Sequence, residues 1–255
     1  MTPECVNGGG ASSLVRLAAA PRLESEVPLP DSAIRALEAW GARPGEILTV
    51  CDPQQTFYRA RLSSLEPGRA SVVPFEVFAR PPESALAIEV YQALPQKERF
   101  ELILQKLTEV GVARIVPYRS SRSISLEERD CGQKKSHRWA EVVLRASRQC
   151  RRARLPELFP MLGWEEAISL AGQADLKLML YEGDAPWTLS EALDRERPVR
   201  IALLVGPEGG FTPAEVEQAG HLGFLPVSLG SRILRTETAA IVGAALVQFS
   251  LGDLG

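Results

Sequence analysis

The residues of this chain best suited to chemistry lie in two glycine-bearing loops. The first, Gly206-Pro207-Glu208-Gly209-Gly210, has three glycines that let the backbone turn sharply and approach a ligand closely. The second, Gly230-Ser231-Arg232-Ile233-Leu234-Arg235, ends in a cation, with Thr236-Glu237-Thr238 between it and an apolar run. The spacing in the first loop is neither G-x-G-x-x-G nor G-x-x-x-x-G-K-[ST], because position 208 is Glu and no Lys follows. Glu208 would repel a diphosphate and tolerate a cation. An adenosyl ligand bearing a sulfonium therefore suits the loop better than a nucleoside triphosphate. On the glycines alone, a ligand-free strand-to-helix turn reads equally well. A third loop, Tyr181-Glu182-Gly183 after Leu180, is available to the same pocket.

Short apolar runs at 176–181, 199–205 and 224–229 read as strands that would deliver these loops. Thr212, Pro213 and Glu215 form a helix start, with a capping residue, a proline at the first helical position and Glu three residues after the cap. The run from Ala239 to Val247 is apolar on nearly every side, which predicts a buried last helix. Loops at the carboxyl ends of strands are where an open α/β sheet takes its ligand. Upstream, residues 85–91, 95–110 and 112–118 read as strand, helix and strand, with Gly111 ending the helix. That βαβ unit predicts a parallel sheet. Further helices are expected at 133–150, 164–170 and 189–195.

LLVGPEGGF followed by SLGSRILRTETA resembles the signature of the RsmE family of ribosomal RNA methyltransferases, in the SPOUT superfamily. LPQKERFELILQKLTEVGVARIVPYRSSRS resembles a second motif of that family, and GARPGEILTVCDPQQTFYRARLSSL its amino-terminal run. Two stretches depart from the pattern. AIRALEAWGARPG lacks the family's His and Leu-Arg pair. RASRQCRRARLP differs at Arg148, Cys150 and Arg151 while keeping Gln149 and Arg152.

The resemblance implies an α/β SPOUT-type, trefoil-knotted parallel-sheet methyltransferase domain over 84–255. A small PUA-like β-barrel that binds RNA would precede it over 1–80. It further implies a cytoplasmic homodimer that transfers a methyl group from S-adenosylmethionine (SAM) to N3 of a uridine in small-subunit (16S) ribosomal RNA. The cofactor contacts would be Leu180, Glu182, Leu204, Gly206, Gly209, Gly210, Leu229, Gly230, Ser231, Ile233 and Leu234. Arg235 would stabilise charge on the uracil edge, and Glu208, Glu237 or solvent would take the proton. An Arg235–Glu237 ion pair is the competing reading. Arg99, Lys106, Arg122 and Arg152 are the candidate RNA contacts. Two other functions stay open: a SPOUT enzyme for another RNA nucleotide, and an inactive RNA-binding assembly factor.

Composition agrees with this frame. The 255 residues suit one large or two modest domains, and 45% hydrophobic with 24% charged residues is ordinary for a soluble globular chain. No apolar run reaches membrane-spanning length and no signal-peptide pattern opens the chain. Four cysteines without a C-x-x-C pair and two histidines make a metal site unexpected and predict reduced thiols. Net charge is −3, yet residues 112–154 hold twelve basic and four acidic residues, leaving −11 for the rest. Such segregation is the footprint of a phosphate-binding surface. Ahead of a Pro81-Pro82 linker, residues 1–13 read as a disordered tail and 14–17 as a strand. A helix at 32–40 and strands at 46–51, 57–63 and 70–78 follow, and the strands predict a small barrel.

Overall fold

The computed structural model describes residues 4–95, 97–123, 138–195 and 197–255. Helix α1 (Asp31–Trp40) buries Ala33, Ala36, Leu37 and Trp40, a stripe at helical spacing. It packs on an antiparallel sheet of β1 (Val27–Pro28), β2 (Ile47–Cys51), β3 (Phe57–Glu66) and β4 (Arg69–Val77), in the order β1-β4-β3-β2. Alternation along the strands sends Leu48, Val50, Tyr58, Ala60, Leu62 and Val72 to the shared core. The amino-terminal β unit is thus a four-stranded antiparallel sheet with one covering helix, and the segment at 14–17 contributes a single bridge, Arg16 to Cys51.

The expected tail is ordered from residue 4 onward. Val6 N donates to Leu158 O and Gly10 N to Leu155 O, both at 2.7 Å. Asn7 Nδ2 donates to Pro156 O at 2.8 Å. These partners lie far away in sequence, so composition alone could not reveal that the glycine-rich start is pinned.

The second sheet is parallel and carries the pocket. Its central strands are β5 (Ala87–Ala93), β6 (Arg114–Arg119), β9 (Leu176–Leu180), β11 (Arg200–Val205) and β12 (Leu225–Ser228), in the order β12-β9-β11-β5-β6. Short strands β7 (Glu157–Leu158) and β8 (Leu162–Gly163) pair with β6, and β10 (Trp187–Thr188) pairs with β12. Both faces are covered, which is why the strands are mostly apolar. Ile88, Val90, Ile201, Leu203 and Val205 point to one core with helix α2 (Lys97–Glu109), α3 (Trp139–Gln149), α5 (Leu189–Leu193) and α7 (Thr236–Leu251). Tyr91, Ala93, Ala202 and Leu204 point to the other, under α4 (Trp164–Ala171) and α6 (Pro213–His221). Phe100, Ile103, Leu104 and Leu107 are the buried face of α2, as the periodicity predicts. The expected helix at 133–150 is observed as α3, and its first residues, 133–137, lie outside the described residues.

Chain order explains the pocket's position. From β9 the chain moves inward to β11, then outward over β9 to β12, so the carboxyl ends of all three strands open onto one place. After β12 the chain returns to start α7, which packs against β5, β11 and α2. Gly243 allows that approach, because a Cβ there would meet Leu180 Cδ1 at 2.8 Å.

The last helix departs from expectation. It buries Ala240, Gly243, Ala244 and Val247, but Val242, Leu246 and Phe249 face outward, with Phe249 63% exposed. The basic belt departs too. Arg114 pairs with Glu89 and Glu157, Arg148 with Glu46, and Arg152 and Arg154 with Glu83. Much of its charge is therefore cancelled by carboxylates distant in sequence.

Candidate methyl-donor site

The three loops enclose a cavity of about 260 Å³ lined by Leu180, Glu182, Gly206, Glu208, Leu234 and Arg235 among others. A contiguous recess of about 80 Å³ is lined by Leu229, Gly230, Ser231 and Ile233. Nine of the eleven expected cofactor residues thus line one connected space. The other two do not. Leu204 sits on β11 with its side chain in the opposite core, beneath α4 and α6. Its strand parity is that of Ala202, whereas Val205 reaches the cavity. Gly209 turns away toward Arg122, where an added Cβ would lie 3.2 Å from Arg122 Cβ.

Several side chains fix the 206–212 loop. Thr236 Oγ1 donates to Gly206 O at 2.6 Å, and Gln92 Nε2 donates to Thr236 Oγ1 at 3.0 Å. Tyr118 donates its hydroxyl to Val205 O at 2.9 Å. Burial, and then the Glu215 charge, push this phenol well above its ordinary range, so it remains a donor. The Phe211 ring packs under Gly206, with its centroid 6.1 Å from that of Trp164. Gly210 has φ +67°, and a Cβ there would collide with the Glu182 carboxylate. Sequence reasoning missed Gln92 and Thr236. For Gln92 the available signal was a polar residue inside an otherwise mostly apolar strand.

Glu215 does more than close the capping box with Thr212. Its Oε1 accepts from Ser121 N at 2.9 Å and Ser121 Oγ at 3.0 Å, tying the loop's helix to the end of β6. Burial alone would raise its carboxyl, but the hydrogen bonds from Thr212 and Ser121 outweigh it and hold the group below its ordinary value. A depressed carboxyl stabilises the fold above its unfolded-state pKa, and that stability is lost as pH falls through the folded-state value. We predict that Glu215→Gln lowers the melting temperature at neutral pH and flattens its acid limb. An acid limb identical to that of the unsubstituted protein would contradict the assignment.

Charges gather at the cavity rim. Arg99, from the first turn of α2, lines the cavity and lies 3.1 Å from Glu208 Oε1 and 3.9 Å from Glu237 Oε1. Arg235 lines the cavity at the N-cap of α7 and forms no ion pair with a described residue. Glu237 faces Arg99 instead, so the alternative Arg235–Glu237 pair does not form. Of the two carboxylates considered for proton removal, Glu208 lines the cavity and Glu237 does not. The cavity is therefore lined by the Glu182 carboxylate, the Arg235 cation and the mutually paired Arg99 and Glu208.

A model of an RNA methyltransferase domain matches residues 82–248, which include every lining residue of the cavity. The chain is 34% identical over 175 residues to Ribosomal RNA small subunit methyltransferase E of Buchnera aphidicola, covering 68% of this chain and 69% of that one. It is 32% identical over 236 residues to the same enzyme of Mycobacterium bovis, covering 85% and 83%. The chain belongs to this methyltransferase family.

Solved structures of such methyltransferases resemble it throughout. One is the small subunit methyltransferase E of Neisseria gonorrhoeae bound to S-adenosyl methionine, at 34% identity and TM-score 0.66, covering 95% of this chain and all (100%) of that one. Another is a methyltransferase of Legionella pneumophila in complex with SAM, at 30% identity and TM-score 0.65, covering 94% and 98%.

Within this methyltransferase, the residues expected to touch RNA are dispersed. Arg99 stands at the cavity mouth. Lys106 pairs with Glu109 at 2.8 Å, one helical turn on. Arg122 is exposed but donates to Gly209 O at 2.8 Å, holding the loop. Arg152 is a structural residue. Its guanidinium is bidentate to Glu83, at 2.8 and 3.1 Å, and donates to Thr108 O and Val112 O. With side chains only 4% and 6% exposed, this pair is buried against protein partners and not presented to a phosphate. Among the described residues no His, Cys, Asp and Glu group could hold a metal, and no helix is long and apolar enough to cross a membrane.

Proposed function

We propose that this protein methylates N3 of a uridine in small-subunit (16S) ribosomal RNA, with SAM as donor. The observation that carries the reading is that the charged cavity falls wholly inside the matched methyltransferase span. When bound, SAM supplies an electrophilic methyl group on a sulfonium centre. The chain's residues fit that group. Glu182 and Glu208 face the cavity with negative charge, and the backbone at 206–210 and 229–234 offers amides and carbonyls around it.

Uracil N3 carries a proton near neutral pH, so a base must remove it and a cation must meet the developing anion. Glu208 takes the proton. Arg235, beside the amino terminus of α7, stabilises charge on the O2 or O4 edge, and the helix dipole adds to it. Arg99 holds Glu208 in place at 3.1 Å. Positioning the reacting atoms in line supplies much of the remaining rate.

Gly210→Ala tests the donor site. A side chain at φ +67° that also meets Glu182 costs about 1–2 kcal/mol of backbone strain. SAM affinity by calorimetry is expected to fall about tenfold. Unaltered affinity would remove the loop from the binding site.

The α/β parallel sheet and the returning α7 support a SPOUT-type trefoil knot, over about 84–255. The antiparallel unit within 1–80 is read as PUA-like. The outward Val242, Leu246 and Phe249 of α7 fit a homodimer buried along that helix. A ribosomal substrate is in keeping with a cytoplasmic enzyme. The reading is tested by mass mapping of nucleosides in small-subunit ribosomal RNA from a strain lacking this protein. Loss of one N3-methyluridine is expected; an unchanged methylation profile would refute it.

A further inference from the structure

Two guanidinium-bearing residues meet where the amino-terminal sheet touches the turn after α3. Thr49 stands opposite Arg59 in the β2–β3 pairing. Its hydroxyl accepts from Arg59 Nη1 at 3.2 Å and donates to Arg151 O at 3.1 Å. One threonine thus links the Arg59 side chain to the Arg151 backbone. Arg151 is exposed and has φ 62°, a conformation uncommon for a residue with a side chain. Leu14, Cys51, Phe57 and Ala153 pack the same junction, so the surrounding structure holds the strained residue in place.

The Arg151 charge acts on Arg59 from across this junction. Burial, and then the Arg151 charge, push the Arg59 guanidinium below its ordinary range, while Glu76 acts the other way. Glu76, across the β3–β4 pairing from Arg59, and Asp52, beside Cys51 as Arg16 is, are carboxylates of this neighbourhood. Arg61 is exposed two residues along the same face of β3, and Arg16 is exposed where the chain bridges Cys51. Arg16, Arg61 and Arg151 form no ion pair with a described residue, in contrast to Arg114, Arg148, Arg152 and Arg154. Four arginines outnumber these two carboxylates, and such an excess of like charge favours an anion between them.

We propose that Arg59 and Arg151, flanked by Arg16 and Arg61, seat a phosphate of the RNA backbone at the junction of the amino-terminal sheet and the turn after α3. The proposal rests on the ribosomal RNA reading and adds where the RNA is gripped. The seat lies beside residues 153–158, which pair with the chain around the start of β6, as in Glu157 N to Ala113 O at 2.9 Å. The cavity lies beyond the opposite ends of the strands, roughly 20 Å away for six-residue strands. A contact so far from the reacting base sets RNA affinity and not the chemical step.

The test compares the R59Q/R151Q double variant, the charge-keeping R59K/R151K variant and the unsubstituted protein. Each is titrated with isolated small ribosomal subunits and with small-subunit ribosomal RNA across a salt series. SAM affinity serves as the control for folding. The Gln variant is expected to bind RNA about tenfold more weakly, with a salt slope smaller by about 1. Its SAM affinity and its rate at saturating RNA are expected to be unchanged, and the Lys variant to recover most of the RNA binding. Equal RNA affinity and slope in the Gln variant would overturn the seat alone. Absence of RNA binding by the unsubstituted protein would overturn the ribosomal RNA reading and the seat with it.

Discussion

Arg235→Ala is expected to slow single-turnover methylation by about 10²- to 10³-fold while leaving SAM affinity within about twofold, the loss typical of removing one donor aimed at developing charge. The expectation follows from its surroundings. Arg235 stands at the cavity, at the N-cap of α7, with no carboxylate among the described residues to neutralise it. Glu237, the neighbour that might have done so, points to Arg99. Arg235→Lys should recover only part of the rate, because an ammonium cannot reproduce the planar fork of a guanidinium. Single-turnover rates equal to those of the unsubstituted protein would return Arg235 to an ordinary surface role.

The second large effect is on stability. Arg152→Ala leaves the Glu83 carboxylate buried with its main partner removed, and breaking a buried pair in this way costs about 3–5 kcal/mol. It also strips donors from Thr108 O and Val112 O at the end of α2. For a chain of this size the melting temperature should fall by roughly 10 °C or more. RNA affinity of the protein that remains folded should be unchanged. A fall in RNA affinity without a fall in melting temperature would restore Arg152 as an RNA contact.

Arg152 also shows where reading the sequence reaches its limit. Its partner Glu83 lies 69 residues away, so a count of charges along the chain sees an arginine in a basic belt and misses its pairing. The same holds for Asn7, whose hydrogen bonds to Pro156 and Leu158 order a segment whose glycines suggest disorder. Local signals were far more legible. The Thr212-Pro213-Glu215 helix start is observed as a capping box with proline in the first turn, because all its parts lie within four residues. The positions of the longer strands were legible for the same reason, whereas 14–17 forms only a bridge. Which face of a strand meets the pocket was not, and Leu204 therefore lies on the wrong side. The apolar composition of α7 predicted burial, but the structure gives it an outward apolar face. Composition cannot distinguish a helix buried within one chain from one buried between two.

In the function proposed, the cavity between the three loops directs a methyl group onto a single ribosomal uridine. The most direct measurement incubates the purified protein with methyl-labelled SAM and small ribosomal subunits from a strain lacking it. The labelled nucleoside is then identified by mass. Stoichiometric label on one N3-methyluridine, and label reduced by 10²-fold or more at early times with Arg235→Ala, is the result expected here. Label on a different nucleoside, or no transfer from an intact, SAM-binding protein, would contradict it.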